Sequence, residues 1–314
     1  MSDDLPAEFI DRLKQIIPSD RFSDVLASFR QPKHSAFRVN TLIADVDTTC
    51  RELSDAGIEL SPISWCDYAF FVEQSSRELL VRSAAFNEGR IYVQNPSSLL
   101  PPILLAPQPG EVVLDLCAAP GGKTLHLAAL MKNHGTLSAV EPIKKRFFKL
   151  QNNLKLAQAS MVKTYLTDGR SVGAKTPDRF DRILIDAPCS SESRFRTADH
   201  SSWEFWSERK IREQSRKQMG LLKSAVRALK PGGTIVYCTC SFAPEENEAP
   251  LEKTIKRFGD SIEIQAIDIP LPNKQSGLAE WQGKKFNTQI RNAVRILPTS
   301  QMDGFFLCRL KKNA

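Results

Sequence analysis

Two cysteines stand where thiol chemistry is possible. Cys189 follows the apolar segment RILIDAP, in Asp186-Ala187-Pro188-Cys189-Ser190-Ser191, and Cys240 ends the apolar segment TIVYCTC. A thiolate is a strong nucleophile near neutral pH. One reaction that requires such a group is methylation of a pyrimidine at carbon 5. That carbon is unreactive until a nucleophile adds to carbon 6 and makes an enolate-like intermediate. Either cysteine taken singly is also explained as a buried structural thiol. Zinc is a poorer explanation. Cys238 and Cys240 would need two further ligands, and the neighbouring sequence has no CxxC or His pair. A zinc deaminase needs Pro-Cys-x-x-Cys, whereas Pro188-Cys189 is followed by Ser190, Ser191 and Glu192. In-out alternation puts Cys238 and Cys240 on one face, and Cys238 reads most simply as a core residue.

A second group of residues could hold a nucleotide. LDLCAAPGGKT reads as a strand, a glycine-rich turn and a helix start. Gly121 and Gly122 permit close backbone approach to a ligand. Gly122-Lys123-Thr124 resembles the end of a P-loop, and RILIDAP imitates the strand and aspartate that hold magnesium there. The P-loop, however, needs glycine where Cys117 stands. Glu141 ends TLSAVE, 19 residues after Gly122. A carboxylate at about that distance binds a ribose diol in Rossmann-type domains, and a P-loop has no use for it. G-x-G-x-x-G is absent, which disfavours NAD. A nucleoside cofactor without pyrophosphate fits better, and S-adenosylmethionine is one. Asp168 could then accept from an adenine amine. Taken alone, Glu141 or Asp168 is equally a solvated strand end.

These residues need a common scaffold. From Gly110 onward, EVVLDLC, TLSAVE, VKTYLTD, RILIDAP and TIVYCTCS alternate with helical segments at 123–131, after Pro142, and at about 207–229. Alternation of this kind implies a parallel sheet covered on both faces. Its ligands bind beyond the carboxyl ends of the strands, where Asp115, Glu141, Asp168, Asp186 and Cys240 fall. Before it, 5–17 reads as a helix, 36–41 and 69–73 as strands, and 47–56 as a helix capped by Asp47. Residues 94–109 hold five prolines around LLPPILLAP, a connector or docking helix.

Composition agrees with a two-domain reading of 314 residues. Hydrophobic residues at 41% and charged residues at 25% exclude whole-chain disorder. No apolar run reaches the ~18 residues of a membrane span, and the acidic start MSDDLPAEF lacks a signal-peptide core. Seven cysteines cannot all pair with one another, which suits a cytoplasmic protein with reduced thiols. Residues 1–105 carry 10 basic and 15 acidic side chains, net −5; residues 106–314 carry 33 and 21, net +12. The second part has the electrostatics of a polyanion binder or of an ordinary basic surface. Residues 194–217 combine Arg194, Arg196, Arg209, Lys210 and Arg212 with Phe195, Trp203, Phe205 and Trp206. Guanidiniums suit phosphates and aromatic rings suit splayed bases; the alternative is a basic solvent face on a helix.

LDLCAAPGGKT, DAPCSS and YCTCSFAPEENE, with SAFRVNT, YVQNPSS and DGFFLCRLKK, resemble the RsmB/NOP/NSUN family of RNA (cytosine-5) methyltransferases. The likeness runs from about residue 35 to 312. It implies a Rossmann-like, doubly wound, mostly parallel catalytic domain at 106–314, preceded by a small α+β domain, similar to an RNA-recognition module, at 1–105. It implies S-adenosylmethionine as cofactor, cradled by Cys117, Ala118, Ala119, Pro120, Gly121, Gly122 and Lys123, with Glu141, Asp168 and Asp186 completing the pocket. Cys240 matches the family's nucleophile and Cys189 the second cysteine, which helps release product. Asp186, with Lys123, would stabilise the activated ring. Many relatives have glycine soon after Pro-Cys-Ser, where this chain has Ser191-Glu192-Ser193. The implied substrate is a cytidine in structured RNA, rRNA ahead of tRNA, handled by a monomer without metal or membrane. The competing readings are a P-loop NTPase and a catalytically idle RNA-binding assembly factor.

Overall fold

The computed structural model describes residues 5–314; the first four residues of the acidic start lie outside that range. Short apolar β-rich segments build one large sheet. In spatial order its strands are Lys274–Ser276, Val294–Ile296, Phe305–Lys312, Leu229–Thr239, Phe180–Asp186, Val112–Asp115, Thr136–Val140 and Val162–Tyr165, with Ile262–Gln265 also paired to Phe305–Lys312. The five strands from Leu229–Thr239 to Val162–Tyr165 are mutually parallel, and the C-terminal strands join antiparallel. Helices Gly122–Leu130, Lys144–Leu156 and Glu208–Ala228 cross between the parallel strands. Two apolar layers bury the sheet, one centred on Val113, Leu127, Leu184 and Val236, the other on Leu114, Ile183, Leu222 and Tyr237. The neighbouring strands that end at Asp186 and Thr239 run in register, Asp186 opposite Cys238. Their outgoing turns therefore leave the same sheet edge.

The N-terminal part folds around a second, antiparallel sheet. Its strands Ser35–Val39, Leu60–Ile63, Cys66–Val72 and Ile91–Val93 lie in the order fourth, first, third, second. Helix Val46–Asp55 and the short helices Arg77–Arg82 and Ala84–Asn87 connect them. This is the split β-α-β arrangement. The first two helices, Ala7–Ile16 and Ser19–Ser28, take no part in that sheet. Phe9, Leu13 and Ile16 recur at helical spacing, and this stripe packs with Phe29 on Phe195, Trp203, Phe242, Trp281 and Leu297 of the large unit. Phe9 and Phe195 rings are 4.9 Å apart.

Several local expectations need correction. Asp45, not Asp47, caps helix Val46–Asp55, its carboxylate accepting from Thr48 N–H at 2.9 Å. The strand read as TIVYCTCS starts earlier, at Leu229, and includes Lys230-Pro231-Gly232-Gly233, where a register shift opposite Phe180 and Arg182 absorbs the irregularity. The helix expected after Pro142 begins at Lys144. No helix among the described residues is long and apolar enough to cross a membrane.

Candidate active site

Beyond Asp115 the chain leaves the central strand and turns through residues 116–121 into helix Gly122–Leu130. Gly121 has φ +114°, a backbone conformation that side-chain-bearing residues rarely adopt. At Gly122 a Cβ would come within 2.7 Å of the Tyr92 ring. Tyr92 belongs to the small sheet, so the two units meet at this loop. Arg38, also from the small sheet and fully buried, donates to the Gly122 carbonyl at 3.2 Å. Buried Asp115 accepts from Thr124 Oγ1 at 2.8 Å and from Cys117 N–H at 3.3 Å, and burial pushes it up to about 6. Lys123 Nζ donates to Asp186 at 2.7 Å. Burial opposes the lysine's charge most strongly of any single influence, but Asp186 and Cys238 together outweigh it and favour the ammonium.

A cavity of about 240 Å³ opens over this loop. Residues 117–120, Gly122 and Lys123 form its floor, with Asp115 and Asp186 at the strand ends. Tyr92, Asn95, Ser97 and Ser98 close one side, and Arg194, Cys240, Asp303 and Phe305 the other. The site thus lies between the two units.

The two cysteines meet. Cys189 Sγ and Cys240 Sγ are 3.2 Å apart, both free thiols. The hydrogen bond from Cys189 and then the Arg194 guanidinium pull Cys240 below the ordinary thiol range, against the burial that opposes ionisation. The same hydrogen bond, with burial, holds Cys189 well above it. Of the two, Cys240 is therefore the one poised as a thiolate. Cys238 is buried in the core beneath them, its sulfur 3.5 Å from Asp186 Oδ1.

Under the thiols lies a polar scaffold that the sequence reading missed. Glu192 and Glu246 are both fully buried. Glu192 accepts from Ser241 Oγ at 3.0 Å, Phe242 N–H at 2.8 Å, Ala243 N–H at 2.9 Å and Trp206 Nε1 at 2.9 Å. It thereby ties the turn after Cys189 to the turn after Cys240. Glu246 accepts from Ser190 N–H at 2.9 Å and Gln218 Nε2 at 3.2 Å, and it also bonds the Ser190 hydroxyl. Glu246 is pushed up to about 8 by burial and by the facing Glu192 carboxylate. A carboxyl raised on folding contributes stability that is full below its unfolded value of 4.5 and is lost as pH climbs through 8. Glu246→Gln should therefore flatten the fall in stability between about pH 5 and 8 by roughly a few kcal/mol. Urea denaturation at stepped pH reads this; Asp115 retains part of the slope. An unchanged slope would assign the ionisation to another group.

Other candidate residues border this region without lining the cavity itself. Glu141 is buried, with Ile143 N–H on one carboxylate oxygen at 2.9 Å and Arg146 3.5 Å from the other. Asp168 caps the short turn Gly169–Ser171 and pairs with Arg170 at 2.5 Å. Of the five basic residues expected to bind RNA, only Arg194 lines the cavity, solvent-accessible at its mouth. Arg196 is spent on Asp303 at 2.8 Å. Arg209, Lys210 and Arg212 lie in the first turns of helix Glu208–Ala228, where Lys210 pairs with Glu213 and Arg212 with Glu208. Most of the aromatic reading fails. Phe195 and Trp203 are buried, and Trp206 is half-buried with its N–H on Glu192, all three in the core shared with the first two helices. Phe205 alone of the four projects into solvent, 79% exposed.

Comparison with known proteins bears on this geometry. Residues 102–311 match the family model of the 16S rRNA methyltransferase RsmB/F, and residues 5–96 match that of the N-terminal domain of 16S rRNA methyltransferase RsmF. The chain is 32% identical over 314 residues to the ribosomal RNA small subunit methyltransferase F of Vibrio parahaemolyticus serotype O3:K6, covering 98% of this chain and 63% of that protein. With the same enzyme from Serratia proteamaculans it shares 34% identity, again over 98% and 63%. The chain thus spans less than two thirds of these relatives' length. Among solved structures, a methyltransferase homologue from Pyrococcus horikoshii superposes with a TM-score of 0.80 at 30% identity, over 98% of this chain and all of that one. NSun6 from the same organism, solved with SFG, gives a TM-score of 0.82 at 20% identity over 98% of both chains.

Proposed function

The chain belongs to the RsmB/F methyltransferase family, and on that premise we propose that it methylates carbon 5 of a cytidine in small-subunit ribosomal RNA, with S-adenosylmethionine as methyl donor. The observation that carries this reading is the pair of thiols 3.2 Å apart, with Cys240 opening on the same cavity as the glycine loop. A nucleophile and a nucleoside pocket sharing one space is what transfer to carbon 5 of a pyrimidine demands.

The residues present fit the cofactor. The missing side chain at Gly122 lets the Tyr92 ring pack against the loop and wall the cavity, and the cavity's acidic members, Asp115 and Asp186, complement a cationic sulfonium. Residues 117–123, Asp186 and Glu141 would hold it, and Asp168 would complete the adenine end. When bound, it supplies an electrophilic methyl group. The protein's share is the activation of the ring. Cys240 Sγ forms the bond to carbon 6, pushing electron density onto carbon 5. Asp186, fixed by Lys123, bonds the cytosine edge and holds the ring over the cavity. After transfer, a water molecule takes the carbon 5 proton, the freed electron pair restores the carbon 5–carbon 6 double bond, and the carbon 6–sulfur bond breaks, returning the thiolate. Cys189, held protonated beside it, assists that release. Arg194 at the mouth, with Arg209, Lys210, Arg212 and exposed Phe205, offers the RNA its cations and a stacking face; Arg196 supports the rim through Asp303. The enzyme works as a monomer in the cytoplasm, where its free thiols stay reduced.

The test is transfer of labelled methyl from S-adenosylmethionine to small ribosomal subunits, with bisulfite sequencing to locate the product. Absence of any 5-methylcytidine would reject the reading. Calorimetry with S-adenosylhomocysteine tests the pocket separately. Glu141→Ala should weaken binding about 10- to 150-fold, the loss of a charge-assisted hydrogen bond of roughly 1.5–3 kcal/mol. Unaltered affinity in a folded variant would remove Glu141 from the pocket.

A further inference from the structure

The turn after Cys189 contains three serines, and their hydrogen bonds separate them. Ser190 gives both its N–H and its hydroxyl to Glu246. Ser193 spends its N–H on the Cys240 carbonyl at 3.1 Å, and its buried hydroxyl has no partner. Ser191 faces the sulfurs. Its hydroxyl oxygen is 3.6 Å from Cys240 Sγ, within the reach of a sulfur hydrogen bond. It also holds the turn closed, its carbonyl accepting from Arg194 N–H at 2.9 Å. To do all this Ser191 sits at φ 60° and ψ 27°, left-handed backbone that disfavours a residue with a Cβ. Strain kept at a reactive centre points to a task that glycine, which adopts this conformation freely, cannot perform.

We propose that Ser191 is a catalytic residue whose hydroxyl donates a hydrogen bond to the ionised Cys240 sulfur. The proposal rests on Cys240 as the nucleophile. As a neutral thiol, Cys240 donates to Ser191 Oγ. On ionisation the donor role reverses, and the serine proton turns to the sulfur. No bond is made or broken at Ser191, so it acts by lowering the cost of the thiolate at each turnover. Because the residue is half-buried rather than sealed in the core, its hydroxyl can rotate between the two states.

Alkylation of Cys240 by iodoacetamide, followed by peptide mass spectrometry from pH 5 to 10, reads the thiolate directly and without RNA. Ser191→Gly removes the hydroxyl and keeps the turn, because glycine needs no strain there; Ser191→Ala removes it and keeps the Cβ. Both should move the alkylation midpoint up by about one pH unit. Methyl transfer should fall roughly 5-fold at pH 6 and about 2-fold at pH 7, and the deficit should close towards pH 9, where Cys240 ionises unaided. A merely structural serine would leave the midpoint in place and lower the rate equally at every pH, and that result would overturn the proposal. Cys240→Ala is assayed beside them. Wild-type methylation by that variant would overturn the nucleophile assignment itself, and the catalytic role of Ser191 with it. An unmoved midpoint with an inactive Cys240→Ala variant would reject Ser191 alone.

Discussion

Cys240→Ala is expected to give neither methylated RNA nor a covalent protein–RNA complex, while Cys189→Ala gives a complex that survives denaturing electrophoresis. The order of events dictates the difference. Without the thiol at position 240 nothing adds to carbon 6, and carbon 5 never becomes nucleophilic. Without Cys189 the bond to carbon 6 still forms, and the missing function is release. The geometry sharpens this. The sulfurs are 3.2 Å apart, so either could reach one base, but only Cys240 is drawn towards ionisation. Cys189 is held as a thiol and suits the later, proton-handling role. The trapped band should migrate slowly, yield to ribonuclease, and vanish in the double variant. If the adduct is lost in Cys189→Ala and retained in Cys240→Ala, the two roles are exchanged. Full activity in both single variants would make both thiols structural.

The largest stability effect should come from a pair well below the surface. Arg295 and Glu248 are both buried, joined through two nitrogens at 2.7 and 2.5 Å. Arg295 also donates to the Phe242 carbonyl at 2.8 Å, so the pair braces the turn that follows Cys240. Arg295→Met removes the cation and leaves a carboxylate without compensation in the interior. The expected loss is about 3–5 kcal/mol, measured as a shift in the urea midpoint. Arg295→Met with Glu248→Leu should be more stable than Arg295→Met alone, because no charge is then stranded. Recovery should be incomplete, since Leu278 N–H loses its bond to Glu248 and the Phe242 carbonyl loses its donor. A loss below about 1 kcal/mol would mean that solvent reaches Glu248 on relaxation.

The parallel sheet and its active edge were legible because each strand is a short apolar run that ends on a polar residue. Asp115, Asp186 and Cys240 stand at such ends, and strand direction alone brings them together. Residues 194–206 were not legible in the same way. Phe195, Trp203 and Trp206 read as aromatics beside arginines, a pattern shared by nucleic-acid surfaces and by ordinary cores. What decides between them is Phe9, Leu13 and Phe29, nearly two hundred residues earlier. Glu192 and Glu246 were opaque for a related reason. A glutamate in a polar string is usually solvated, and only the donors converging from distant turns make its burial tolerable. Arg194 and Arg196 differ by two positions and have separate fates, cavity mouth and Asp303, which no local spacing distinguishes.

The docking of helices Ala7–Ile16 and Ser19–Ser28 onto Phe195, Phe242, Trp281 and Leu297 also sets a timetable for synthesis. The stripe of Phe9, Leu13 and Ile16 is translated well before its partners, which are spread from Phe195 to Leu297. At roughly 5–20 residues per second, about 15–60 s separate Phe9 from Leu297 on the ribosome. Throughout that interval an amphipathic helix is out of the tunnel with its apolar face unmatched. The small antiparallel sheet, whose partners are all within the first hundred residues, can meanwhile close on its own. The nascent chain therefore carries a sticky segment ahead of a folded module, a natural client for chaperones that shield an apolar helix face until its partners emerge.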